Sequence, residues 1–106
     1  MTAQPLWTPS AQRTANHRLT RFIGHVNQAH GLSLNSYKDI HAYSVEKAPQ
    51  FWADVWDFCG IIAETRGDRL VVDQDKMPGA RFFPDAALNF TENLLRGSGD
   101  VPAIIF

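Results

Sequence analysis

MPGARFFPDAALNFTENLLRG, residues 77–97, is the stretch of this sequence that specifies local structure most clearly. Its first half contains the pairs Pro-Gly and Pro-Asp, which are typical of turns and interrupt helices and strands. We therefore predict a structured loop from Met77 to Ala87. Within this loop, Phe82 and Phe83 are predicted to be the side chains that anchor it by packing.

The second half of the same stretch predicts a short helix. Asn89 is a favourable N-cap, and Glu92 follows three residues later in the arrangement called a capping box. The helix is predicted to run to about Arg96 and to stop at Gly97, since glycine commonly follows a helix end. Asn93 is predicted to tie the preceding loop down through its amide, with ligand binding as the alternative. The stretch carries no evident catalytic group.

A longer amphipathic helix is predicted near the start of the chain. Ser10 is a favourable N-cap, and Gly31 is a favourable end. Apolar residues between these two positions recur at spacings of three and four, which places them on one face of a helix. These residues are Leu19, Phe22, Ile23, Val26 and Ala29. The spacing therefore predicts one helix from Ser10 to Gly31.

The most strongly buried helix is predicted to end just before Gly60. Ser44 is predicted to offer its cap, and Pro49 fits the first helical turn. Four residues follow helical spacing and form its predicted buried face: Trp52, Val55, Trp56 and Cys59. Asp54 and Asp57 are assigned to the solvent side of this helix.

Two shorter elements complete the predicted secondary structure. Ser36 can cap a brief helix through about Ala42, in which Tyr37 and Ile40 are placed to pack on one side. Residues 70–72 form a β-branched run that predicts a strand of a small hairpin or of a sheet edge. The predicted fold class is therefore mostly α with short β segments.

Composition limits the classes of function. The chain has 106 residues (11.9 kDa), which is the size of one small domain. Its 10 basic residues are scattered and balanced by 11 acidic ones, which disfavours nucleic-acid binding. No apolar run reaches the roughly 18 residues of a membrane span, and no signal peptide is recognisable, so we predict a cytoplasmic protein. The three Trp and seven Phe residues indicate that some rings pack against a surface outside the chain.

The four histidines and the single cysteine are the first candidates for chemistry. The sequence does not favour a metal site at His17, His25, His30 and His41. Their spacing does not bring the imidazoles together on one helical face, and a closed zinc site would need Cys partners. The preferred interpretation is surface or partly packed imidazoles. Cys59 lies in an apolar stretch, which predicts a buried, inert thiol rather than a nucleophile.

Three other sequence patterns were considered as binding sites, for calcium, for a stacked ligand and for a phosphate, and none is complete. Asp73 and Asp75 begin like a calcium loop, but Met77 and Pro78 stand where that loop needs an oxygen ligand and a glycine. The aromatic residues of 51–58 could stack on a ligand, but their helical spacing favours a core role. No glycine-rich phosphate loop is present. We therefore assign no catalytic, cofactor-binding or metal-binding residue.

Five motifs occur in a fixed order along the chain: LWTPS (6–10), YSVE (43–46), FWADVWDF (51–58), GARFFP (79–84) and LNFTENLL (88–95). Together they resemble the N-terminal region of the acetoacetyl-CoA synthetases, a branch of the adenylate-forming acyl-CoA ligases. The match in order and spacing extends over nearly the whole chain. The first motif and the run over 79–95 favour this branch over the acetyl- and propionyl-CoA synthetases.

The resemblance implies a helical cap of a larger α/β ligase, not a complete catalytic fold. It implies an extended arm at residues 1–9, a helical region at 10–100 and, at 101–106, the start of a strand of the large catalytic domain. Leu6 and Trp7 of the arm are available to dock on a neighbouring surface. An apolar strand at a bare terminus also predicts, without the resemblance, that the sequence is part of something longer.

The implied parent enzyme converts acetoacetate, ATP and CoA to acetoacetyl-CoA, AMP and pyrophosphate through an acyl-adenylate, with Mg²⁺. In the family, the phosphate loop, the substrate pockets and the adenylation lysine follow later in the chain. ATP, Mg²⁺ and CoA are therefore implied for the parent and not for these residues, whose partner would be the downstream catalytic domain. The alternatives are a stand-alone helical protein-interaction module or the N-terminal region of an acetyl- or propionyl-CoA synthetase.

Overall fold

The structure, a computed structural model, describes residues 3–97 and 99–106. It is mostly helical with one small antiparallel sheet, which confirms the predicted class. In chain order the elements are α1 (Ala11–Ala15), α2 (Arg18–His30), α3 (Tyr37–Glu46), α4 (Ala48–Cys59), β1 (Val71–Val72), β2 (Arg81–Phe82) and α5 (Phe90–Leu94). They divide into two compact units, Met1–Phe58 and Cys59–Phe106. None of the described helices is long and apolar enough to cross a membrane.

The helix predicted from Ser10 to Gly31 is two helices in the structure. Ser10 caps α1 as predicted, but this helix ends after one turn at Asn16. His17 then starts α2, because its Nδ1 atom accepts a hydrogen bond from the Leu19 amide (3.1 Å). The predicted end is confirmed, since Gly31 has a left-handed φ of 64°.

Helix α3 is longer than predicted. Ser36 caps it as predicted, but the helix continues four residues beyond Ala42 to Glu46. Ser44 lies inside the last turn, and its hydroxyl donates to the carbonyl of His41 (2.6 Å). The prediction that Ser44 caps the following helix is therefore wrong, because its side chain is already bonded within α3.

The core of the first unit lies where α2, α3 and α4 meet. Four buried apolar or aromatic residues form it: Phe22, Val26, Ile40 and Tyr43. The ring of Phe22 packs edge-on against those of Phe51 (5.7 Å between centroids) and Phe58 (5.3 Å). Ile40 therefore packs as predicted, whereas Tyr37 is 71% exposed and does not.

Helix α4 turns a different face inward from the one predicted. Phe51 and Val55 pack against the core, and Asp54 is buried. Trp52 is 43% exposed, and Cys59 is exposed. The predicted burial is therefore wrong for Trp52 and Cys59, two of the four residues. The assignment of Asp54 to the solvent side is also wrong.

The second unit contains a short β-hairpin. Strand β1 pairs antiparallel with β2, with Val71 opposite Phe82 and Val72 opposite Arg81. This confirms the predicted strand within residues 70–72 and places β2 inside the stretch predicted as loop. Phe82 is 46% exposed and does not anchor the loop by burial, whereas Phe83 is half-buried.

The last helix follows the hairpin. The Asn89 side chain caps α5 as predicted, accepting hydrogen bonds from two amides of its first turn (2.8 and 3.3 Å). The helix ends at Leu94, two residues before the predicted end at Arg96. Residues 101–106 are not paired with a strand in the described part of the chain. A strand forms by pairing, so their assignment to a strand of the larger catalytic domain stays a prediction.

Asn93 ties α5 to the segment that follows α4, not to the loop of residues 77–87 as predicted. Its Oδ1 atom accepts from the Ile62 amide (2.8 Å), and its Nδ2 atom donates to the Ile62 carbonyl (2.8 Å). One side-chain amide thus satisfies both backbone groups of Ile62, as a neighbouring strand would. Arg96 adds a hydrogen bond from Nη1 to the Cys59 carbonyl (3.0 Å).

Gly67→Ala is expected to destabilise the second unit by about 2 kcal/mol, because an L side chain is strained at a left-handed φ. Gly67 has φ 77°, and a Cβ atom there would lie 2.5 Å from the Cβ of Asp85. Amide hydrogen exchange at Phe83, which donates to the Leu70 carbonyl (2.8 Å), measures the effect. Gly97→Ala is the matched control, since no atom lies within 4 Å of a Cβ there. Equal exchange rates in the two variants would contradict this prediction.

Candidate functional site

Four polar side chains connect three helices of the first unit. His30 is the last residue of α2, Tyr43 lies in α3, and Gln50 and Asp54 lie one turn apart in α4. We call these four residues the polar cluster. Because residues four apart lie on the same face of a helix, Gln50 and Asp54 both point toward α2 and α3.

Asp54 is the centre of the polar cluster and is only 5% exposed. One carboxylate oxygen accepts a hydrogen bond from the Tyr43 hydroxyl (2.6 Å), and the other accepts from Nε2 of His30 (2.8 Å). Burying a carboxylate without such donors would be strongly unfavourable. Both oxygens of Asp54 are therefore satisfied by side chains of the neighbouring helices.

Gln50 defines the tautomer of His30. Its Nε2 atom donates a hydrogen bond to Nδ1 of the imidazole (2.7 Å). An amide NH₂ group can only donate, so Nδ1 is the acceptor and the ring proton lies on Nε2, where it points at Asp54. Both nitrogens of His30 are thus engaged inside the cluster.

Tyr43 joins the polar cluster to the apolar core. Burial raises the pKa of its hydroxyl well above the ordinary value, and the hydrogen bond to Asp54 and the charge of that carboxylate raise it further. The hydroxyl therefore keeps its proton at physiological pH and remains a donor. On the apolar side, the Tyr43 ring lies edge-on to Phe51 (6.4 Å between centroids).

The polar cluster contains a His–Asp pair, which in many hydrolases orients a base for a nucleophile. In such a site the second imidazole nitrogen faces the nucleophile. Here Gln50 occupies that nitrogen of His30. A cleft of about 550 Å³ borders the cluster, but no buried polar side-chain atom of the described residues lacks a hydrogen-bond partner. The geometry supports cross-linking of helices rather than proton transfer.

The other histidines lie apart from the polar cluster. His17 caps α2, the His25 ring lies 5.6 Å from that of Phe58, and His41 stacks on Tyr37 (6.0 Å). Among residues 3–97 and 99–106, no group of three or more His, Cys, Asp or Glu residues is placed to hold a metal ion. The structure therefore brings none of the predicted candidates together into a site.

The acidic residues considered for calcium lie in an exposed turn after β1. Asp73 has a φ of 57°, and its carboxylate pairs with Lys76 (3.3 Å between Oδ1 and Nζ). Asp75 is also exposed. This arrangement matches the predicted solvated acidic turn.

Sequence reasoning missed the polar cluster because it assigned Asp54 to solvent. The signal was present in the spacing, since Asp54 lies three residues after Phe51. Residues three apart are neighbours on one helical face. A carboxylate on an apolar face indicates a buried network when donors such as His30 and Tyr43 occur on the facing helices.

Comparison with known proteins identifies the family. The family described as "Acetyl-coenzyme A synthetase N-terminus" matches residues 37–94, which are more than half of the chain. The chain belongs to this family. The residues that match the acetyl-coenzyme A synthetase N-terminus include α3, α4, the hairpin and α5.

Two relatives and one solved structure refine the position within the acetyl-coenzyme A synthetase N-terminus family. The chain is 41% identical over 103 residues to the acetoacetyl-coenzyme A synthetase of Rhizobium meliloti (strain 1021), covering 97% of this chain and 16% of that protein. It is 38% identical over 91 residues to malonamoyl-CoA synthetase vrtB of Penicillium aethiopicum, covering 85% and 12%. The structure of acetoacetyl-CoA synthetase from Streptomyces lividans matches with a TM-score of 0.82 and 39% identity, covering 89% of this chain and 15% of that one.

These comparisons confirm the predicted resemblance to the N-terminal region of acetoacetyl-CoA synthetases. The comparisons also show how much of each larger protein the chain represents. The chain spans between 12% and 16% of the length of the three proteins.

Proposed function

We propose that this chain is the N-terminal segment of an ATP-dependent acetoacetyl-CoA synthetase and that its own role is structural. The parent enzyme converts acetoacetate, ATP and CoA to acetoacetyl-CoA, AMP and pyrophosphate through an acyl-adenylate. The observation that carries this proposal is the 41% identity to the Rhizobium meliloti relative over 97% of the chain. The TM-score of 0.82 to the Streptomyces lividans enzyme agrees with it.

The side-chain geometry supports a structural role. In the polar cluster, both nitrogens of His30 and both carboxylate oxygens of Asp54 are hydrogen-bonded within the protein. A general base needs a free lone pair that faces the reacting proton. The cluster instead fixes α2, α3 and α4 against one another and gives a rigid element that the rest of the enzyme can use.

The cofactors of the reaction are assigned to the remainder of the parent enzyme. Adenylate formation uses Mg²⁺ to stabilise the charge on the phosphates of ATP. The described residues do not fit this group, since they contain neither a cluster of candidate metal ligands nor a glycine-rich phosphate loop. We therefore place ATP, Mg²⁺ and CoA on the downstream catalytic domain. We further propose a cytoplasmic enzyme of lipid metabolism.

The 106-residue chain alone is expected to release no pyrophosphate above the blank when supplied with acetoacetate, ATP, Mg²⁺ and CoA. The physical reason is that its described residues hold neither a cluster of metal ligands nor a glycine-rich phosphate loop, the features that stabilise the charge developing during adenylation. A coupled pyrophosphate assay measures this, with the Rhizobium meliloti enzyme as the positive control. Acetoacetate-dependent turnover by the chain alone would overturn the structural role.

A further inference from the structure

A cleft of about 450 Å³ lies in the first unit between residues 7–9, α1, α2 and the start of α3. This volume is in the range of pockets that bind small organic ligands. We call it the Trp7 cleft and define it by six of its lining residues: Trp7, Arg13, His17, Leu19, Ile23 and Tyr37. The Trp7 cleft shares no lining residue with the polar cluster.

The Trp7 cleft offers aliphatic and aromatic surface to a ligand. Leu19 and Ile23 lie four residues apart on α2, so they form one patch of its surface. Trp7 and Tyr37 also line the cleft, and their side chains are 68% and 71% exposed. Aromatic rings beside an aliphatic patch favour a ligand with a flat apolar body, because such a body can contact both.

Two side chains of the Trp7 cleft can donate hydrogen bonds to an anion. The guanidinium of Arg13 lies over the Trp7 ring, 5.8 Å from its centroid, and none of the ion pairs among the described residues includes Arg13. Nδ1 of His17 accepts a hydrogen bond from the Leu19 amide (3.1 Å), so Nε2 is the proton donor of that imidazole. A carboxylate can accept from both groups, and its hydrogen bonds to a guanidinium are among the strong ones.

The charge of the surrounding segment also favours an anion. Basic residues are spread along the chain, but the acidic residues begin only at Asp39. Residues 1–38 contain four Lys or Arg and no Asp or Glu, whereas residues 39–106 contain six and 11. No Asp or Glu is among the described residues that line the Trp7 cleft. A bound anion would therefore meet attraction and no like charge from the walls of the cleft.

We infer that the Trp7 cleft binds a small organic carboxylate with a flat apolar body. The carboxylate would accept hydrogen bonds from Arg13 and His17, and the apolar body would lie against Leu19, Ile23 and the aromatic rings. Acetoacetate does not belong to this class, because its short chain carries a polar ketone. The inference therefore concerns a second ligand and does not depend on the proposed function.

The test is a titration of the isotope-labelled 106-residue chain with phenylacetate, followed by two-dimensional NMR. Phenylacetate is expected to shift the Trp7 indole N–H resonance with half-saturation below about 1 mM. Phenylacetamide, which has the same ring without the charge, is expected to bind at least about tenfold more weakly. Equal affinity for the two compounds, or saturable shifts confined to residues outside the cleft, would overturn the inference.

Two arginine variants locate the carboxylate. Arg13→Gln is expected to weaken phenylacetate binding at least about tenfold and to leave phenylacetamide binding unchanged, since only the carboxylate uses the guanidinium. Arg18→Gln is the matched control, because Arg18 is exposed in the same basic segment but does not line the cleft. It is expected to keep the affinity within about twofold. Both side chains are exposed, so neither variant is expected to shift the urea unfolding midpoint. An equal loss of affinity in the two variants would overturn the inference.

Discussion

Asp54→Ala is expected to lower the free energy of unfolding of the first unit by about 3 kcal/mol, because it removes a buried carboxylate that accepts two hydrogen bonds. The Tyr43 hydroxyl and the Nε2 proton of His30 would then be left without their acceptor. Urea unfolding followed by tryptophan fluorescence measures the loss. The tryptophans all lie in the first unit: Trp7, Trp52 and Trp56.

Two further variants isolate the cause of this loss. Glu46→Ala removes an exposed carboxylate from α3 and is expected to change the stability by less than about 0.5 kcal/mol. Adding Tyr43→Phe to Asp54→Ala is expected to recover part of the loss, because it removes a buried hydroxyl that no longer has an acceptor. If Asp54→Ala cost no more than Glu46→Ala, the polar cluster would not be a stabilising cross-link.

Phe22→Ala is expected to cost about 4 kcal/mol, since large-to-small substitutions in a core lose transfer free energy and leave a cavity. Phe22 is 7% exposed and contacts the rings of Phe51 and Phe58. The same urea titration measures the change. A loss of this size is a large part of the total stability of a small domain, so the variant is expected to be close to unfolding at 37 °C.

Tyr37→Ala is the matched control for Phe22→Ala. Tyr37 is an aromatic residue of the same unit but is 71% exposed, so its removal is expected to cost less than about 1 kcal/mol. Similar costs for the two substitutions would show that the first unit is not organised around Phe22.

Local signals in the sequence predicted the helix ends because capping depends on neighbouring residues. Ser10, Ser36 and Asn89 cap helices as predicted, and Gly31 adopts the left-handed conformation expected of it. The break at His17 was missed because histidine is not among the preferred N-cap residues. Here its imidazole nitrogen replaces the usual oxygen acceptor.

The inward face of α4 could not be predicted from spacing alone. Phe51 with Val55 and Trp52 with Trp56 both follow helical periodicity, so each pair predicts an apolar face. The predicted face consisted of Trp52, Val55, Trp56 and Cys59, and Asp54 was assigned to solvent because it stands outside that set. The inward face depends on the neighbouring helices, whose donors His30 and Tyr43 bond Asp54.

The central claim is that this chain supplies structure to a ligase whose chemistry lies downstream. The most direct test is acetoacetate-dependent pyrophosphate release by the full-length fusion in which the chain replaces the matching residues of the Rhizobium meliloti relative. We expect the fusion to be active, and we expect Asp54→Ala within it to lower the temperature at which activity is lost. A soluble, folded fusion with no acetoacetate-dependent pyrophosphate release would contradict the account.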